Sequence, residues 1–443
     1  MTHAIAPGLQ SQPAKLPALS EHRLARFAAI IVLYFLQGVP IGLSLVALPA
    51  WIAEAGGTPV QVSGFVAVAL LPWTTKLFNG LLMDRFAYKP MGRRRGWILL
   101  AQSLMVTSLV VMATLAPSAS DIALLTALCF ALNLCATFND VAVDGMAVDL
   151  VPENERTAIN SLMFASQAAG VAACSFVAGQ ILADGGTAKT ALILAAVVAG
   201  ASLFVSVFRE RPGERLLPWS HGQASRECVE RQHDAWWPIV SGVFKSILAP
   251  RTALFLIAAG CGGAYLAFAD AVNPTLAVQQ LGWSSERYSS LGATVNIAAA
   301  GCGLFVPLAL ERLLGLRWTI LVQMALIALL AVIAGLSLPS WQSDLPFIAL
   351  SAAMYILSVT FTISAIVWAM RICNPAIAAS QFALFMAVPN LSRLFMGGNS
   401  GWLVEGAGYG ATYFAVAAMV LIGFAIVWFA RVGDDNQIPS AAQ

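Results

Sequence analysis

Five charged residues stand inside long apolar segments of this chain, where their types and spacing suit proton or anion chemistry. Lys76, Asp270 and Arg393 each interrupt a separate apolar segment, whereas Asp140 and Asp144 lie one helical turn apart and would share one face of a helix. Placing Asp, Lys or Arg near the centre of a membrane helix costs about 2.5–3.5 kcal/mol even by the lower insertion estimates, so such residues are usually retained for a purpose. A carboxylate there can take up and release a proton, and a cation can bind an anionic group.

Each of these charges leaves alternatives open at the level of the sequence. Asp140 and Asp144 repel each other, so they hold a proton or pair with a cation. They are either a helix-end pair facing water or loop arginines, or proton carriers. Lys76 either extends to the cytoplasm or faces a cavity. Arg393 needs an anionic partner, which is a carboxylate of the protein or an acidic group of a substrate. Asp270 is the first candidate for a proton site, with Asp140 and Asp144 after it.

The composition predicts that these charges are positioned by membrane helices. Apolar residues make up 59% of the 443 residues and charged residues 10%, against roughly 45–50% and 25% in soluble domains. Twelve apolar segments come near the ~20 residues needed to cross a bilayer core. They are 27–48, 62–83, 96–116, 121–143, 158–182, 188–208, 252–273, 288–310, 316–337, 345–369, 380–403 and 409–430. The predicted fold is an all-α integral membrane protein with 12 transmembrane helices.

A polar interval divides these helices into two groups of six. We expect a disordered cytoplasmic N-terminus, two six-helix bundles, a cytoplasmic linker with an interfacial helix between them, and a cytoplasmic tail. The N-terminus covers 1–25, the first bundle 26–208, the linker 209–251, the second bundle 252–430 and the tail 431–443. A weak repeat supports the division, because 84–102 and 311–323 both begin with an acidic residue and arginine and end with a tryptophan followed five residues later by a glutamine. The two bundles are thus predicted to be related pseudo-repeats.

The distribution of Lys and Arg predicts that both termini are cytoplasmic. In that orientation the cytoplasmic segments hold 20 of the 24 cationic residues, and the outer loops hold two, Lys189 and Arg287. Cytoplasmic loops of membrane proteins carry such an excess of cations. The opposite orientation would invert it.

The loop between the second and third segments carries a specific motif. Its residues are Gly80, Asp84, Arg85, Gly92, Arg93, Arg94 and Arg95. Gly80 lies one turn before Asp84, and its missing side chain lets another helix end approach the carboxylate. The pattern resembles the loop between helices 2 and 3 of major facilitator superfamily transporters. The fuller string, 72–97, resembles the peptide/acetyl-CoA/drug transporter branch, which includes AmpG-like muropeptide permeases and siderophore importers.

A second string, 139–156, resembles the helix 4–5 region of the same branch. Its charged residues include Asp144, Asp149, Glu155 and Arg156. The resemblance implies that Asp144 and Arg156 join Asp84 and the arginines of 93–95 in an ion-pair network at an inner gate. It also implies that helix 7, with Asp270, lines a cavity between the two bundles.

These features predict a proton-coupled secondary transporter with alternating access that imports a medium-sized polar or amphiphilic solute, such as a muropeptide or a siderophore, across the bacterial inner membrane. The chain has no phosphate-binding Gly-x-x-x-x-Gly-Lys-Ser/Thr loop, so ATP is not expected to drive it directly. We predict no enzymatic activity, no cofactor and no metal site. The alternatives are a proton-driven drug or metabolite efflux pump and a membrane sensor without transport.

The expected partners are a small-molecule substrate, protons and the lipid bilayer, not nucleic acid, and we expect the chain to act as a monomer. Besides the candidate proton sites, six residues are candidates for contacts with substrate or for ion pairs. They are Lys76, Arg393, Tyr34, Gln37, Tyr265 and Asn390.

Overall fold

The fold is all-helical in the part of the chain that the computed structural model describes, residues 18–152, 155–230, 250–372 and 378–429. Fourteen α-helices follow one another in these ranges. They are α1 (Arg23–Gly42), α2 (Leu48–Glu54), α3 (Pro59–Leu70), α4 (Lys76–Arg85), α5 (Arg95–Leu115), α6 (Ile122–Leu150), α7 (Arg156–Ser206), α8 (Arg226–Glu230), α9 (Pro250–Gly262), α10 (Ala264–Thr275), α11 (Ser285–Leu314), α12 (Leu316–Ser337), α13 (Leu345–Ile372) and α14 (Ala378–Phe429). In the same ranges the only extended pairing is a single bridge between Ala18 and Arg209.

Most of these helices suit a bilayer in length and composition. Among the described residues, nine helical segments are long and apolar enough to cross a membrane, and Pro59–Thr75 is a shorter apolar helix. The two longest helices each contain one residue with non-helical backbone angles, Gly186 in α7 (φ 61°) and Gly408 in α14 (φ 81°). Positive φ is open to glycine without a steric penalty, so the chain can turn there. The protein is therefore a multi-pass membrane protein.

Two of the helices break in the same way. Pro40 lies near the end of α1 and Pro274 near the end of α10, and each is followed by a π-helical turn, Leu43–Ala47 and Leu276–Gln280. Proline has no N–H for the helical ladder, and a wider turn gives the freed carbonyl groups new partners. The shared break agrees with the weak repeat in the sequence.

The first helix packs against α7 at van der Waals distance through glycines. A Cβ added to Gly38 would lie 2.3 Å from the backbone N of Val171, and one added to Gly170 would lie 2.0 Å from the carbonyl O of Phe35. No side chain fits at either position. This contact fixes α1 on α7 and so fixes the position of Tyr34 and Gln37.

Apolar cores lie on both sides of the polar interval. One core joins buried residues of α9 to α14, such as Phe255 and Trp368. Two others join buried residues of α1 to α7, and one of these also contains Ala271 and Val278 from the later part of the chain. We refer to residues 18–206 as the N-terminal part and to residues 250–429 as the C-terminal part.

The region 1–25, predicted to be disordered, differs from that expectation where it is described. Leu19 is buried, its backbone N–H donates to the carbonyl of Arg209 at 2.8 Å, and α1 already begins at Arg23. The composition of this stretch is polar, but these hydrogen bonds to the start of the linker hold it. The interfacial helix expected near 236–245, residues 1–17 and the tail 431–443 lie outside the described residues.

Candidate functional site

The first charged pair joins two helices of the C-terminal part. Arg393 on α14 donates from Nη2 to Oδ2 of Asp270 on α10. The side chains are 25% and 10% exposed, respectively. Of the two partners that the sequence left open for Arg393, the structure contains the protein carboxylate. We call Asp270 and Arg393 the α10–α14 pair.

Asp270 lines a cavity of about 60 Å³ between the N-terminal and C-terminal parts. Leu45 and Val46 close it from the N-terminal part, and the other walls come from α10, α11 and α13. The polar side chains of the lining are Tyr265, Asn273, Tyr288, Asn296, Ser351 and Tyr355. Three phenols and two carboxamides therefore surround one carboxylate, and such groups recognise polar and ring-shaped solutes by hydrogen bonding and stacking.

Hydrogen bonds hold this lining in place. Asn273 donates to the Tyr265 hydroxyl at 3.2 Å, and that hydroxyl donates to the Ser351 carbonyl at 3.1 Å. Tyr355 donates to Oδ1 of Asn296 at 3.0 Å. Sequence reasoning named Tyr265 as a candidate but missed Asn273 and Asn296, because their spacing along two helices gives no local signal.

A second charged group lies in the N-terminal part. The Lys76 ammonium of α4 lies 2.5 Å from Oδ2 of Asp140 on α6, and 5.1 Å from the centre of the Trp73 ring. One turn further along α6, Asp144 accepts a hydrogen bond from the Tyr34 hydroxyl of α1. We call Tyr34, Lys76, Asp140 and Asp144 the α6 cluster. It places two carboxylates beside one ammonium, and the charges of Asp140 and Lys76 both act on Asp144.

Neutral polar side chains extend the α6 cluster toward the middle of the N-terminal part. Trp73 donates to Asn133 at 2.9 Å, and Asn133 donates to Ser44 at 2.9 Å. Gln167 donates to Gln37 at 3.1 Å. Asn390 of α14 donates to the Trp73 carbonyl at 3.4 Å, and this bond links the C-terminal part to Trp73, whose ring lies 5.1 Å from the Lys76 ammonium.

The loop before α5 is fixed by a residue that the sequence did not indicate. Glu210 accepts hydrogen bonds from the backbone N–H groups of Arg93 and Arg94 at 2.9 Å each and of Arg95 at 2.5 Å. Burial raises the pKa of Glu210, and these three N–H groups counteract that effect. Gly92 has φ 97°, and a Cβ there would lie 2.5 Å from Glu210 Oε2, so only glycine fits.

The Arg95 side chain reaches the linker. It donates to the carbonyl groups of Ser206 at 2.5 Å, Arg215 at 3.3 Å and Leu216. Nearby, Glu214 accepts from the Ser225 hydroxyl at 2.7 Å, and burial raises the pKa of Glu214 to about 7. The first residues of the linker are therefore attached to the N-terminal part.

The described contacts of the loop arginines involve the end of α6. Asp149 lies 3.7 Å from Arg93 and 3.9 Å from Arg94, whereas Asp144, one and a half turns earlier on α6, bonds to Tyr34. The ion-pair network of Asp144 and Arg156 with Asp84 and the loop arginines stays a prediction, because the side chains of Asp84 and Arg156 lie outside the described residues. Between Asp144 and Asp149, Gly145 lies under Arg94: a Cβ there would be 2.5 Å from Nε.

The remaining predicted residues are placed as follows. Glu155 bonds to Arg26 at 2.6 Å and lies 3.3 Å from Arg23. Arg85 ends α4 and is exposed. A Cβ on Gly80 would meet Val141 at 3.7 Å, an ordinary contact, so the glycine is not sterically required there. Asp84 lies on α4 and Arg156 begins α7, but their side chains lie outside the described contacts.

A family model assigns this helical arrangement. The model for the Major Facilitator Superfamily matches residues 30–277, which is more than half of the chain. The chain belongs to the Major Facilitator Superfamily. The resemblance drawn from the loop motif is thereby confirmed at the level of the superfamily.

Individual transport proteins are similar to this chain over most of its length. The anhydromuropeptide permease of Escherichia coli (strain K12) is 23% identical over 421 residues, which are 89% of this chain and 78% of the permease. The folate-biopterin transporter of Synechocystis sp. (strain ATCC 27184 / PCC 6803 / Kazusa) is 24% identical over 413 residues, with the same two coverages, 89% and 78%. The first of these similarities confirms the predicted likeness to AmpG-like permeases.

A solved structure shows the fold. The crystal structure of nucleoside transporter NupG matches with a TM-score of 0.68 at 14% identity, and the match covers 91% of this chain and 98% of that chain. At this identity the likeness concerns the fold alone. These proteins are transporters, as predicted for this chain.

As a major facilitator protein, this chain places ion-paired and hydrogen-bonding side chains in and beside its helices. Within the described ranges, no group of three His, Cys, Asp or Glu side chains is arranged to hold a metal ion. The groups placed between or beside the two parts are carboxylates, one ammonium, one guanidinium and hydroxyl or amide donors. These groups can exchange protons and bind an acidic or polar solute.

Proposed function

We propose that this protein is a proton-coupled importer of the AmpG-like branch that works by alternating access. Twelve crossings follow if α7 divides at Gly186, α14 divides at Gly408, and 59–85 counts as one more crossing beside the nine long apolar segments of the described chain. Two six-helix bundles, 26–208 and 252–430, then face each other in the bacterial inner membrane, and both termini lie in the cytoplasm. The cation excess of the cytoplasmic segments supports this orientation.

The observation that carries the proposal is the α10–α14 pair, whose Asp270 lines a cavity between the bundles. A carboxylate paired with a guanidinium has no net charge. Protonation of Asp270 neutralises the carboxylate and leaves the pair with the positive charge of Arg393. The protonated Asp270 no longer needs Arg393, so the guanidinium is free to bind an acidic group of the solute. When the carboxylate gives up its proton on the other side, the original pair forms again and the acidic group is displaced. Proton and solute therefore move in the same direction.

The cavity lining supports a polar solute with an acidic group. Phenol and carboxamide side chains face the cavity beside Asp270, and a relative at 23% identity is named for an anhydromuropeptide. A cavity of about 60 Å³ is smaller than the ~300–1,000 Å³ of typical ligand pockets, so the bundles must part before the solute enters. A muropeptide is our first candidate substrate, and an iron–siderophore is the second.

The α6 cluster is the second candidate for the proton site. Its two carboxylates face one ammonium, so one negative charge remains without a cation among the described side chains. Repulsion between Asp140 and Asp144 is relieved when one of them holds a proton. Trp73, whose ring lies beside the Lys76 ammonium, accepts a hydrogen bond from Asn390 of α14, so the cluster has the C-terminal bundle as a near neighbour.

The test is uptake into inverted and right-side-out vesicles under an imposed pH gradient, with an anhydromuropeptide and an iron–siderophore offered in parallel. Accumulation of one solute that depends on the gradient and is lost in Asp270→Asn is the expected result. Asn retains the size and a hydrogen bond but cannot ionise, so binding without a gradient is the matched control. Accumulation that persists in Asp270→Asn moves the proton site to Asp140 or Asp144. Absence of uptake of both solutes in both orientations refutes the importer.

A further inference from the structure

Three side chains connect the two bundles through four hydrogen bonds at one end of the molecule, at or next to helix ends. Glu54 ends α2 in the N-terminal part, and its Oε2 accepts from the backbone N–H of Ser285 at the start of α11 at 3.2 Å. Glu405 of α14, in the C-terminal part, accepts at Oε1 from the backbone N–H of Val60 at the start of α3 at 3.2 Å. Each bundle thus supplies a carboxylate to a helix N-terminus of the other bundle.

The third contact runs to a helix C-terminus. The Gln279 side-chain amide donates to the carbonyl of Ala53 at 3.0 Å and to the carbonyl of Gly57 at 2.7 Å. Gln279 lies in the π-helical turn that follows α10, and Ala53 lies in the last turn of α2. An amide donor of the C-terminal part therefore meets two carbonyl groups at and just after the end of α2, and the Ala53 carbonyl also accepts from the backbone N–H of Gly56 at 3.1 Å.

The two glutamates bind backbone N–H groups in helix N-termini that already have an N-cap residue from their own bundle. Thr58 accepts from the Gln61 N–H at the start of α3, and Ser284 accepts from the Arg287 N–H at the start of α11. Each N-cap hydroxyl serves one of the free N–H groups, and a glutamate from the opposite bundle serves another. A negative charge at a helix N-terminus also interacts favourably with the helix dipole.

Close backbone packing holds Glu405 beside α3. A Cβ on Gly401, one turn before Glu405 on α14, would lie 2.3 Å from the Pro59 carbonyl and from the Ser63 hydroxyl. The two helices therefore touch where the glutamate reaches the N-terminus. Glu54, Gln279 and Glu405 also line one shared recess at this end.

We propose that Glu54, Gln279 and Glu405 form a latch that joins the outer ends of the two bundles, and that the charges of the two glutamates set how often this side opens. The inference rests on the proposed function, because that proposal assigns this end to the outside and requires it to open during transport. When the bundles part here, all three side chains lose their partners together. The latch is thus a cooperative unit, and weakening any one contact loosens the others.

Hydrogen–deuterium exchange of the full-length protein in nanodiscs tests the latch without a substrate. Glu405→Gln retains a hydrogen-bond acceptor but removes the charge, and it should accelerate exchange in peptides over 57–64 by about two- to fivefold, the ratio that corresponds to ~0.3–1 kcal/mol for a carboxylate at a helix N-terminus. The decisive result is that Glu405→Gln also accelerates exchange to a comparable extent in peptides over 283–290, the segment that Glu54 contacts. Glu54→Gln should reproduce both effects. Glu286→Gln, which removes a charge from the first turn of α11, should leave 57–64 unchanged.

Effects confined to the segment that each glutamate touches, or an equal response in Glu286→Gln, would overturn the latch. If the glutamate variants fail to fold, Gln279→Ala provides the same test, since it must accelerate hydrogen–deuterium exchange in both segments.

Thiol labelling provides a separate readout. Val46→Cys places a thiol in the lining of the cavity. On intact cells, Glu405→Gln should increase the labelling of this thiol by a membrane-impermeant reagent. Increased labelling only in inverted vesicles would contradict the proposed orientation but support the latch. Unchanged labelling from both sides would contradict the latch.

Discussion

The α10–α14 pair makes a quantitative prediction for a double-mutant cycle. Removing one partner of a buried ion pair typically costs about 3–5 kcal/mol, because the remaining charge stays buried without compensation. The Arg393 side chain is 25% exposed and Asp270 is 10% exposed, so we expect a cost just below that range, about 2–3 kcal/mol, for Asp270→Asn. Arg393→Gln should cost less as the pH falls, since the orphaned carboxylate can then take up a proton.

The double variant Asp270→Asn/Arg393→Gln should recover most of this loss. Two neutral amides leave no uncompensated charge and can hydrogen-bond to each other, so stability should return to within about 1 kcal/mol of the natural protein. The assay measures unfolding of all variants in the same detergent. Unfolding is monitored by thiol labelling of Cys129 and Cys174, both of which are buried in the folded protein. Uptake under a pH gradient is measured on the same preparations. Stability should recover in the double variant while gradient-driven uptake remains absent.

Two results would refute this reasoning. Additive losses, with the double variant less stable than either single variant, would mean that Asp270 and Arg393 do not compensate each other in the folded protein. Gradient-driven uptake by the double variant would remove the pair from the coupling mechanism, even if the stability cycle came out as expected. The conservative variant Asp270→Glu is the matched control, because it retains the charge and should retain partial uptake.

Three further predictions concern the N-terminal part and the first residues of the linker. Lys76→Gln leaves Asp140 without its ammonium partner, so it should lower the free energy of unfolding by about 1–3 kcal/mol at neutral pH and by less at acidic pH. Unfolding measurements that give the same loss of stability at the two pH values would contradict this prediction. Gly145→Ala should cost about 1–3 kcal/mol, because the new methyl must displace Arg94, and an unchanged unfolding midpoint would contradict the close contact. The pKa of Glu214 is raised to about 7 from its ordinary 4.5, so the folded linker binds this proton more tightly than the unfolded chain. The stability of the folded linker should therefore fall as the pH rises from about 4.5 to about 7. Amide hydrogen exchange over 209–230, corrected for the intrinsic effect of pH on exchange, should become faster over this range, and Glu214→Gln should abolish this pH dependence.

The sequence was most informative where a charge stood against an apolar background. Lys76, Asp270 and Arg393 were found because each breaks a long apolar run, and all three form ion pairs in the structure. An apolar run also predicts its own burial, so a charge within it must find a partner or water. What remained open was which partner it would find.

The partners themselves depend on tertiary geometry that no local pattern carries. Glu210 follows an apolar segment among arginines, as many linker residues do, and nothing in its neighbourhood indicates three backbone donors more than a hundred residues earlier in the chain. Asp144 and Asp149 are five residues apart on one helix and so point in different directions. The pattern therefore cannot decide which of them meets the loop arginines and which meets Tyr34.

The two charged groups differ in a way that bears on their order of protonation. The α10–α14 pair is balanced, with one carboxylate and one guanidinium, whereas the α6 cluster has two carboxylates beside one ammonium among the described side chains. A proton that enters the cluster removes a repulsion, whereas a proton that enters the pair sacrifices an attraction. The cluster should therefore fill first and the pair last. Under the proposed mechanism, protonation of the pair makes Arg393 available to an acidic solute, and this coupling would limit proton leakage without transport.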